Sequence, residues 1–268
     1  MKGPEQLLEH QDNWVTRMGL SFPGEGRVVF RGKDLLNELN DLPWMGLLLY
    51  GITGRILDAQ QIQLFESMWV LSSSYPDPRL WNNRVASLAG TARSTGALGV
   101  SAAIAVSEAS IYGRRPDIRS IDFIKRIKAK LDEGASLETL VLAEIRDFRN
   151  IPGYGRPIVN GDERIEPVLD LARRLGCGEG PYVRLAFEIE NILLSSRYRM
   201  RMNVAMLDAA LAADQGLSVR EYYYYTVLCF SAGIIPCYVD SNEGEEGCFL
   251  PLACDRIAYT GRKSRLWD

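Results

Sequence analysis

The amino-acid sequence predicts an all-α protein. In most long segments, apolar residues recur at steps of three and four, which is the period of an α-helix. The clearest run follows Asp58, a helix-capping residue, and places Ile62, Phe65 and Met68 on one side. The first ordered segment is 27–30, and at most one short strand pair is expected. No internal repeat is visible, so helices account for nearly all of the predicted structure.

Glycine and proline divide the N-terminal part of the chain. Their number in residues 1–26 predicts an extended lead-in with one short helix near 6–11. Apolar residues from Leu35 to Leu49 follow the helical period, with a break at Pro43. The helix after these is expected to end before residues 75–78, which contain two prolines.

The rest of the chain also has helical periodicity. Residues 222–236 form its most apolar stretch, and residues 255–268 form a basic, irregular tail. The four consecutive tyrosines, Tyr222 to Tyr225, cover every face of a helix, so one or two are expected to be buried and the others to lie at a surface. Further helices are predicted at 118–133, 136–149, 182–196 and 202–213.

Composition limits the classes of function. The 268 residues are 47% hydrophobic, enough for a sizeable core, and 31 basic against 34 acidic residues give a net charge of -3. This balance offers no electrostatic footprint for broad nucleic-acid binding. Neither a signal peptide nor a membrane span is expected, and five cysteines without a C-x-x-C pair indicate reduced thiols. We therefore expect a cytoplasmic protein that binds small molecules or protein partners.

Residues 82–112 are rich in alanine and glycine. Helices with such smooth surfaces pack closely together. In a chain without a membrane span, this composition indicates helices buried on all sides, often at a subunit interface. It is the main argument from composition for an oligomer.

Several kinds of site are disfavoured by the residues present. The glycine-rich pieces, 153–157 and 176–180, lack the G-K-[ST] of a phosphate loop. The chain has one histidine, His10, and its cysteines lack ligand spacing, so no metal is expected. A Ser-His-Asp or Cys-His arrangement is excluded unless His10 serves. The protein is thus expected to act without imidazole acid-base chemistry.

Five segments in order resemble the citrate synthase family. The loop I-P-G-Y-G-R-P-I-V-N-G-D-E-R, Ile151 to Arg164, is similar to the family's P-G-[FY]-G-H loop and its later D-P-R. The others are G-L-L-L-Y-G from Gly46, the small-residue stretch Asn83 to Gly113, M-N-V from Met202, and R-I-A-Y-T-G from Arg256. The resemblance covers about residues 27–265 and is nearest to short citryl-CoA-lyase-like forms.

The resemblance implies a dimeric, all-helical fold with a large domain and a small mobile one. Residues 1–26 would be the lead-in, 27–116 and 207–268 the large domain, and 117–206 the small, CoA-binding domain. A CoA thioester would lie in the cleft between the domains, together with an oxo or carboxylic acid. The implied chemistry is carbon–carbon bond formation or cleavage.

The residues of this chain depart from the family's catalytic pattern. The family uses a carboxylate to take a proton from the acyl-CoA and histidines to stabilise the enol and polarise a carbonyl. Their positions fall on Ala205, Pro116, Arg156 and Leu80, and a substrate-binding arginine falls on Phe230. The standard mechanism is therefore absent.

Two carboxylates stand close to the vacated positions. Asp208 lies three residues after Ala205, on nearly the same helical face, and Asp117 adjoins Pro116. Together with Arg156, which can bind an oxyanion or carboxylate, they are the candidate catalytic residues. As alternatives, Asp208 is a solvated helix residue and Asp117 is a helix N-cap.

Other matched positions favour ligand binding. The resemblance assigns the adenine cradle and phosphate contact of CoA to Ile151, Gly153, Tyr154, Gly155 and Arg164. It assigns substrate binding to Asn83 and Arg256. Two hypotheses remain open: an enzyme with a rearranged site, or an inactive CoA-binding subunit that pairs with an active homologue. A third possibility is other chemistry on a thioester, such as hydrolysis or decarboxylation.

Overall fold

The computed structural model describes residues 3–12, 14–72, 75–110, 113–156, 161–248 and 253–262. Twelve α-helices and a small antiparallel sheet lie within these ranges. The strands are β1 (Gly19–Phe22), β2 (Arg27–Phe30) and β3 (Lys33–Asp34). The helices are α1 (Pro4–His10), α2 (Trp44–Thr53), α3 (Ala59–Ser72), α4 (Trp81–Thr91), α5 (Gly96–Val106), α6 (Arg114–Asp132), α7 (Leu137–Phe148), α8 (Ile165–Arg174), α9 (Pro181–Ser195), α10 (Val204–Asp214), α11 (Val219–Cys229) and α12 (Ser231–Glu243).

The sheet and the turn after it differ from the sequence prediction. β2 pairs with both β1 and β3, so three strands form where at most one pair was expected. Residues 35–43, predicted as the first part of a helix, form turns instead. The side chain of Asp34 accepts hydrogen bonds from the backbone N–H of Leu36, at 2.9 Å, and Asn37, at 3.3 Å. A short polar side chain competes in this way with helical hydrogen bonding.

The start of α3 agrees with the prediction. Asp58 Oδ1 accepts a hydrogen bond of 2.8 Å from the backbone N–H of Gln61. The Gln61 side chain accepts one of 3.0 Å from the backbone N–H of Asp58. This reciprocal pair is a capping box, which satisfies two backbone donors at a helix N-terminus. It fixes the helix that carries Phe65, Trp69 and Ser72.

Contacts divide the chain into two compact units. The first comprises Met1–Ser73 and Ala109–Cys229, and the second comprises Ser74–Glu108 and Phe230–Asp268. The small domain predicted at 117–206 lies wholly within the first unit, and its independent motion stays a prediction.

Helix α10 is the centre of the first unit. It packs against α6, α9, α3 and α8. It has buried apolar residues on every side, and four of them are alanines, whose small side chains let neighbouring helices approach. The buried residues are Val204, Met206, Leu207, Ala209, Ala210, Leu211, Ala212 and Ala213. A helix so enclosed holds any polar residue on it in a defined environment.

The second unit is built around α4, α5 and α12. Glycine allows the close contact, because a Cβ on Gly90 would lie 2.6 Å from the carbonyl oxygen of Tyr238. Similarly, a Cβ on Gly99 would lie 2.7 Å from the Cβ of Ala89. The outer face of α5 stays apolar and exposed, with Leu98 at 67%. No described helix is long and apolar enough to cross a membrane.

Candidate functional site

The segment 151–156 forms a tight loop that is bonded to the chain just before α10. The backbone N–H of Gly155 donates to the carbonyl of Arg201 at 2.7 Å. Asn203 donates through its backbone N–H to Gly153 O, at 2.9 Å, and through its side-chain amide to Gly155 O, at 3.0 Å. Asn203 also caps α10. The loop and the N-terminus of α10 are therefore held as one structure.

Both glycines of this loop occupy positions that other residues fit poorly. Their φ angles are +79° at Gly153 and +81° at Gly155, in the left-handed region that favours glycine. A Cβ on Gly153 would lie 2.4 Å from the Cβ of Met206 and 2.9 Å from Ser120 Oγ. The loop thus touches α10 and α6 directly. Its predicted role as an adenine cradle stays a prediction.

Two other loop residues assigned to CoA binding lie in the interior. Ile151 is 1% exposed. Tyr154 is 6% exposed, and its hydroxyl donates a hydrogen bond of 2.7 Å to the carbonyl of Ala186. Burial raises the pKa of Tyr154 well above its ordinary value, with a further contribution from Glu190. These side chains anchor the loop, so its backbone and the partly exposed side chain of Arg156 remain for contact with a ligand.

Asp162 joins Arg164 to the start of α10. The guanidinium of Arg164 donates from Nε and Nη2 to the two oxygens of Asp162, both at 2.8 Å. Asp162 Oδ2 also accepts from the backbone N–H of Val204, at 2.9 Å. Burial acts to raise the pKa of Asp162, but these hydrogen bonds outweigh it and hold the pKa below its ordinary value. The ion pair therefore stays charged and secures the helix.

Arg164 has a further contact that orients it. Its Nη1 donates to the carbonyl of Ser72 at 3.3 Å, at the end of α3. The side chain is 21% exposed. The arginine predicted to contact a CoA phosphate is thus engaged by Asp162 and Ser72, and its role toward CoA stays a prediction.

Arg156 lies next to the ion pair of Arg164 and Asp162. Its Nη1 donates to Gly161 O at 3.0 Å and to Glu163 Oε2 at 2.5 Å, and lies 3.8 Å from Asp162 Oδ1. Its side chain is 28% exposed. These contacts with described residues all use Nη1, so Nε and Nη2 of the guanidinium can still donate to an anion.

Asp208 is the most perturbed carboxyl group near this structure. It lies on α10 one turn after Ala205, and its Oδ1 is buried without a hydrogen-bond partner among the described residues. Burial raises its pKa to about 8, while a hydrogen bond with Ser72 and the charge of Arg164 act in the opposite direction. The negative charges of Asp117 and Asp162 raise it further. The alternative that Asp208 is a solvated helix residue is therefore wrong.

Asp117 lies beside Asp208 on another helix. α6 begins at Arg114 with Gly113 as its N-cap, so Asp117 lies inside the first turn and does not cap the helix as the alternative held. Burial raises its pKa to about 7, against the charges of Arg164 and Arg114. Because α6 packs against α10, the two carboxylates predicted as catalytic residues lie on neighbouring helices. Their catalytic roles stay predictions.

The face of α11 that meets these carboxyls was missed as part of the site. Tyr222, Tyr225 and Cys229 stand at positions i, i+3 and i+7, on one side of the helix. Both tyrosines are 2% exposed, while Tyr224 is 41% exposed, as the four-tyrosine run predicted. Burial, then the charges of Asp208 and Asp117, raise the pKa of Tyr222 and of Cys229 well above their ordinary values. Only the long-range packing of α11 reveals this proximity.

A basic surface next to the loop was also missed. Arg197, Arg199 and Arg201 are exposed and lie in the segment that binds Gly155. The sequence R-Y-R-M-R was the available signal. Met202 fixes the end of this segment, because its backbone N–H donates to Glu190 Oε1 at 2.8 Å. The arginines therefore stand beside the glycine loop on an anchored backbone.

The two predicted substrate-binding residues belong to the second unit. The Asn83 amide donates to the carbonyls of Tyr75, at 2.5 Å, and Asp77, at 3.0 Å, so it holds a turn. Its Oδ1 is buried without a hydrogen-bond partner among the described residues. Arg256 is exposed. Their roles toward a substrate stay predictions.

No family model and no curated relative matches the sequence. Solved structures do match. Citryl-CoA lyase from Hydrogenobacter thermophilus is similar with a TM-score of 0.83 at 19% identity, over 95% of this chain and 97% of that one. Citrate synthase from Pyrobaculum aerophilum gives 0.62 at 17% identity, over 85% of this chain and 56% of that one.

The chain has the citrate-synthase fold. The predicted all-helical fold class is therefore confirmed. A third match with this fold is ATP citrate lyase from Methanothrix soehngenii, solved with citrate and coenzyme A, with a TM-score of 0.77 at 18% identity. It covers 98% of this chain and 45% of that longer one. Within the citrate-synthase fold of this chain, the carboxyl pair and the glycine loop both lie in the first unit.

Proposed function

We propose that this protein is an enzyme that binds a CoA thioester and cleaves or forms a carbon–carbon bond between its acyl group and an oxo acid. The observation that carries the proposal is the pair of carboxyls, Asp208 and Asp117, with pKa values raised to about 8 and about 7. Carboxyls tuned to neutral pH in this way are typical of general acid-base catalysis. The cleavage direction is favoured by similarity to citryl-CoA lyase along nearly the whole of both chains.

CoA binding is supported by the loop and the basic surface. The backbone of Gly153 and Gly155 permits close approach by a ligand at positive φ. Arg197, Arg199 and Arg201 are exposed next to it and can neutralise the phosphates of CoA. A neighbour of the same fold was solved with coenzyme A. We therefore place the nucleotide part of CoA at this surface.

We assign Asp208 as the general base. In the cleavage direction its carboxylate takes the proton of the substrate's 3-hydroxyl group. The carbon–carbon bond then breaks to form the carbonyl of the oxo acid, and the bonding electron pair moves onto the acyl-CoA as an enolate. Return of the proton to the α-carbon gives the acyl-CoA and restores the carboxylate. The reverse sequence begins with removal of an α-proton.

Asp117 acts on this cycle through its charge. Its pKa is the lower of the two, so it ionises first, and its negative charge then raises the pKa of Asp208. The charge of Arg164 favours the ionised form of both groups. Between about pH 7 and pH 8 the pair thus holds one proton, mainly on Asp208, and Asp208 becomes available as the base as the pH rises above this range.

We also propose that the protein is a homodimer formed through its second unit. Large apolar side chains there are exposed, including Leu98 at 67%, Ile235 at 49% and Val239 at 43%. Contiguous exposed apolar surface is typical of protein–protein contact. Pairing with a homologous chain would use the same surface.

Deuterium exchange tests the enzyme proposal. Incubated in D2O with acetyl-CoA, the protein should replace methyl protons of the acetyl group, detected by mass spectrometry, and should release acetyl-CoA from citryl-CoA. Asp208→Asn should abolish both reactions, and Asp117→Asn, which removes a negative charge that raises the pKa of Asp208, should shift their pH dependence to lower pH. Asp122→Asn, on the same helix as Asp117 and 62% exposed, is the matched control and should behave as the wild type.

The alternative is a CoA-binding subunit without chemistry of its own. The replacement of the family's carboxylate by Ala205 and of its histidines by Pro116 and Arg156 favours it. Against it, a carboxyl whose pKa is raised by folding reduces stability once it ionises, and an inactive site has no need to retain two such groups. Binding of CoA without exchange or cleavage, together with tight association with a homologous chain, would establish the alternative.

A further inference from the structure

Residues 196–203 form an irregular segment between α9 and α10 that is fixed at both ends. At its start, Ser196 Oγ accepts a hydrogen bond of 3.2 Å from the backbone N–H of Tyr198. Near its end, Met202 pairs with Tyr154 of the 151–156 loop in an isolated antiparallel bridge. The side chains between these two anchors are therefore carried on an ordered backbone next to the loop.

Arg199 turns this segment with a backbone conformation that is rare for residues other than glycine. Its φ is +47°, in the left-handed region, where a Cβ crowds the backbone. After the turn, Met200 packs against the core, and a Cβ on Gly155 would lie 3.6 Å from its Sδ. Before the turn, Tyr198 is 37% exposed. Because Tyr198 and Met200 are two residues apart, their Cα atoms lie within about 8 Å, so an exposed ring stands close to the loop.

The arginines of the segment carry positive charge without an acidic partner. Arg197, Arg199 and Arg201 are exposed, and none of them makes an ion pair within the part of the chain that the structure describes. Exposed arginines elsewhere are paired, as Arg146 is with Asp147 at 2.8 Å. The whole protein has a net charge of -3, so this positive strip is a local exception. It favours an anionic ligand at this place.

Arg197 also holds the ring of Tyr198. Its Nη2 donates a hydrogen bond of 2.8 Å to the Tyr198 hydroxyl, and its guanidinium carbon lies 4.9 Å from the ring centroid. This contact restricts the ring and covers one of its faces. A planar ligand can then stack on the face that Arg197 does not cover. The segment thus offers an aromatic plane together with positive charge.

We propose that Tyr198 stacks against the adenine ring of CoA and makes the enzyme select CoA thioesters over pantetheine thioesters, which lack the nucleotide. This inference rests on the proposed function, which places the nucleotide part of CoA at the basic surface. A ligand that uses both features of the segment needs a planar ring and several negative charges, and an adenine nucleotide has both. With the base on Tyr198, the adjoining phosphates lie within reach of Arg199 and Arg201.

The test compares substrates with and without the nucleotide in the Tyr198→Leu variant. Loss of stacking should raise the Kd of CoA about tenfold in calorimetry, and that of 3′-dephospho-CoA by the same factor, because both contain adenine. In D2O, KM for exchange of acetyl-CoA should rise equally, with the rate at saturation unchanged. The kcat/KM for exchange of acetyl-pantetheine should stay at the wild-type value. Tyr198→Phe keeps the ring and should bind CoA nearly as the wild type does.

Tyr224→Leu is the matched control. Tyr224 is a 41% exposed tyrosine of α11, and Arg220 contacts it in the same manner. Arg220 Nε donates to its hydroxyl at 3.1 Å, and the guanidinium carbon lies 5.7 Å from its ring centroid. Since this pair lies on a helix and outside the basic surface, its loss should leave the affinity for CoA unchanged.

Two results would overturn the role of Tyr198 and leave the proposed function standing. One is equal affinity of the Tyr198→Leu and Tyr224→Leu variants for CoA. The other is an equal loss with acetyl-CoA and acetyl-pantetheine, which would show a disturbed segment and no selection by the nucleotide. Absence of CoA binding and of exchange in the wild-type protein would overturn the proposed function and this inference together.

Discussion

Arg164 binds Asp162 through two parallel hydrogen bonds of 2.8 Å, and the Asp162 side chain is completely buried. The same carboxylate accepts a hydrogen bond from Val204, the first residue of α10. The position of Asp208 on that helix therefore depends on an ion pair that the 151–164 segment supplies.

Asp162→Asn should destabilise the protein by roughly 3 kcal/mol, because it removes the charge of a completely buried carboxylate that pairs with Arg164. Unfolding by urea at neutral pH measures this loss. The control is Glu163→Gln, next in the chain and 62% exposed, which removes a surface contact with Arg156. If both substitutions lower the free energy of unfolding equally, burial of the ion pair contributes nothing to stability.

Gly153→Ala should reduce stability more than Gly134→Ala. Both residues have positive φ, but a Cβ at Gly134 meets no atom within 4 Å, while one at Gly153 meets Met206 Cβ at 2.4 Å. The left-handed backbone costs alanine about 1 kcal/mol at either site, and overpacking adds roughly 1–3 kcal/mol at Gly153. Thermal unfolding of the two variants measures the difference. Similar losses would mean that the close approach to α10 is easily relaxed.

Sequence reasoning found what depends on local pattern. Asp58 as a helix cap and the helical period identified α3, and the helix predicted at 202–213 agrees closely with α10 (Val204–Asp214). The helix predicted through residues 35–43 was wrong, because the side chain of Asp34 binds the backbone there. The helical period is read from the apolar residues alone, so it does not show that a polar side chain competes with helical hydrogen bonding of the backbone.

The candidate site was only partly predictable. Asp208 and Asp117 could be named from their spacing to positions of the family pattern. That their helices meet follows from the packing of α10 against α6, and the packing of α11 against α6 brings Tyr222 and Cys229 to the same part of the first unit. Residues 14 or more positions apart along the chain meet there, and no local pattern in a single sequence encodes those contacts.

Stability should depend on pH through Asp208. Its folded pKa of about 8 lies above its ordinary value of 3.8, so folding favours the protonated form. The stabilisation is complete below the unfolded pKa and is lost as pH rises towards 8. We therefore compare the free energy of unfolding of Asp208→Asn with that of the wild type at two pH values. The difference should move in favour of the variant by roughly 1–3 kcal/mol from pH 5.5 to pH 9. Denaturant unfolding at both values measures this, with Asp122→Asn as the exposed control. A pH-independent difference would contradict the raised pKa.

The basic surface should contribute to CoA affinity. Arg197→Gln combined with Arg201→Gln should weaken binding about tenfold, or ~1.4 kcal/mol, by removing charge-assisted contacts to phosphate. Isothermal titration calorimetry with CoA measures the effect, which should diminish at high salt. The control removes two exposed charges elsewhere, at Arg146 and Arg174. If both double variants bind CoA with equal affinity, the phosphates of CoA bind outside the basic surface.

The pH dependence of α-proton exchange, measured with saturating acetyl-CoA in D2O from pH 5 to pH 9, tests the central claim most directly. If ionised Asp208 is the base, the wild-type rate rises with pH and levels off above about 8, where the pKa of Asp208 lies. Asp208→Asn should show no exchange at any pH. Wild-type exchange by that variant, or a rate independent of pH, would contradict the assignment of Asp208 as the base.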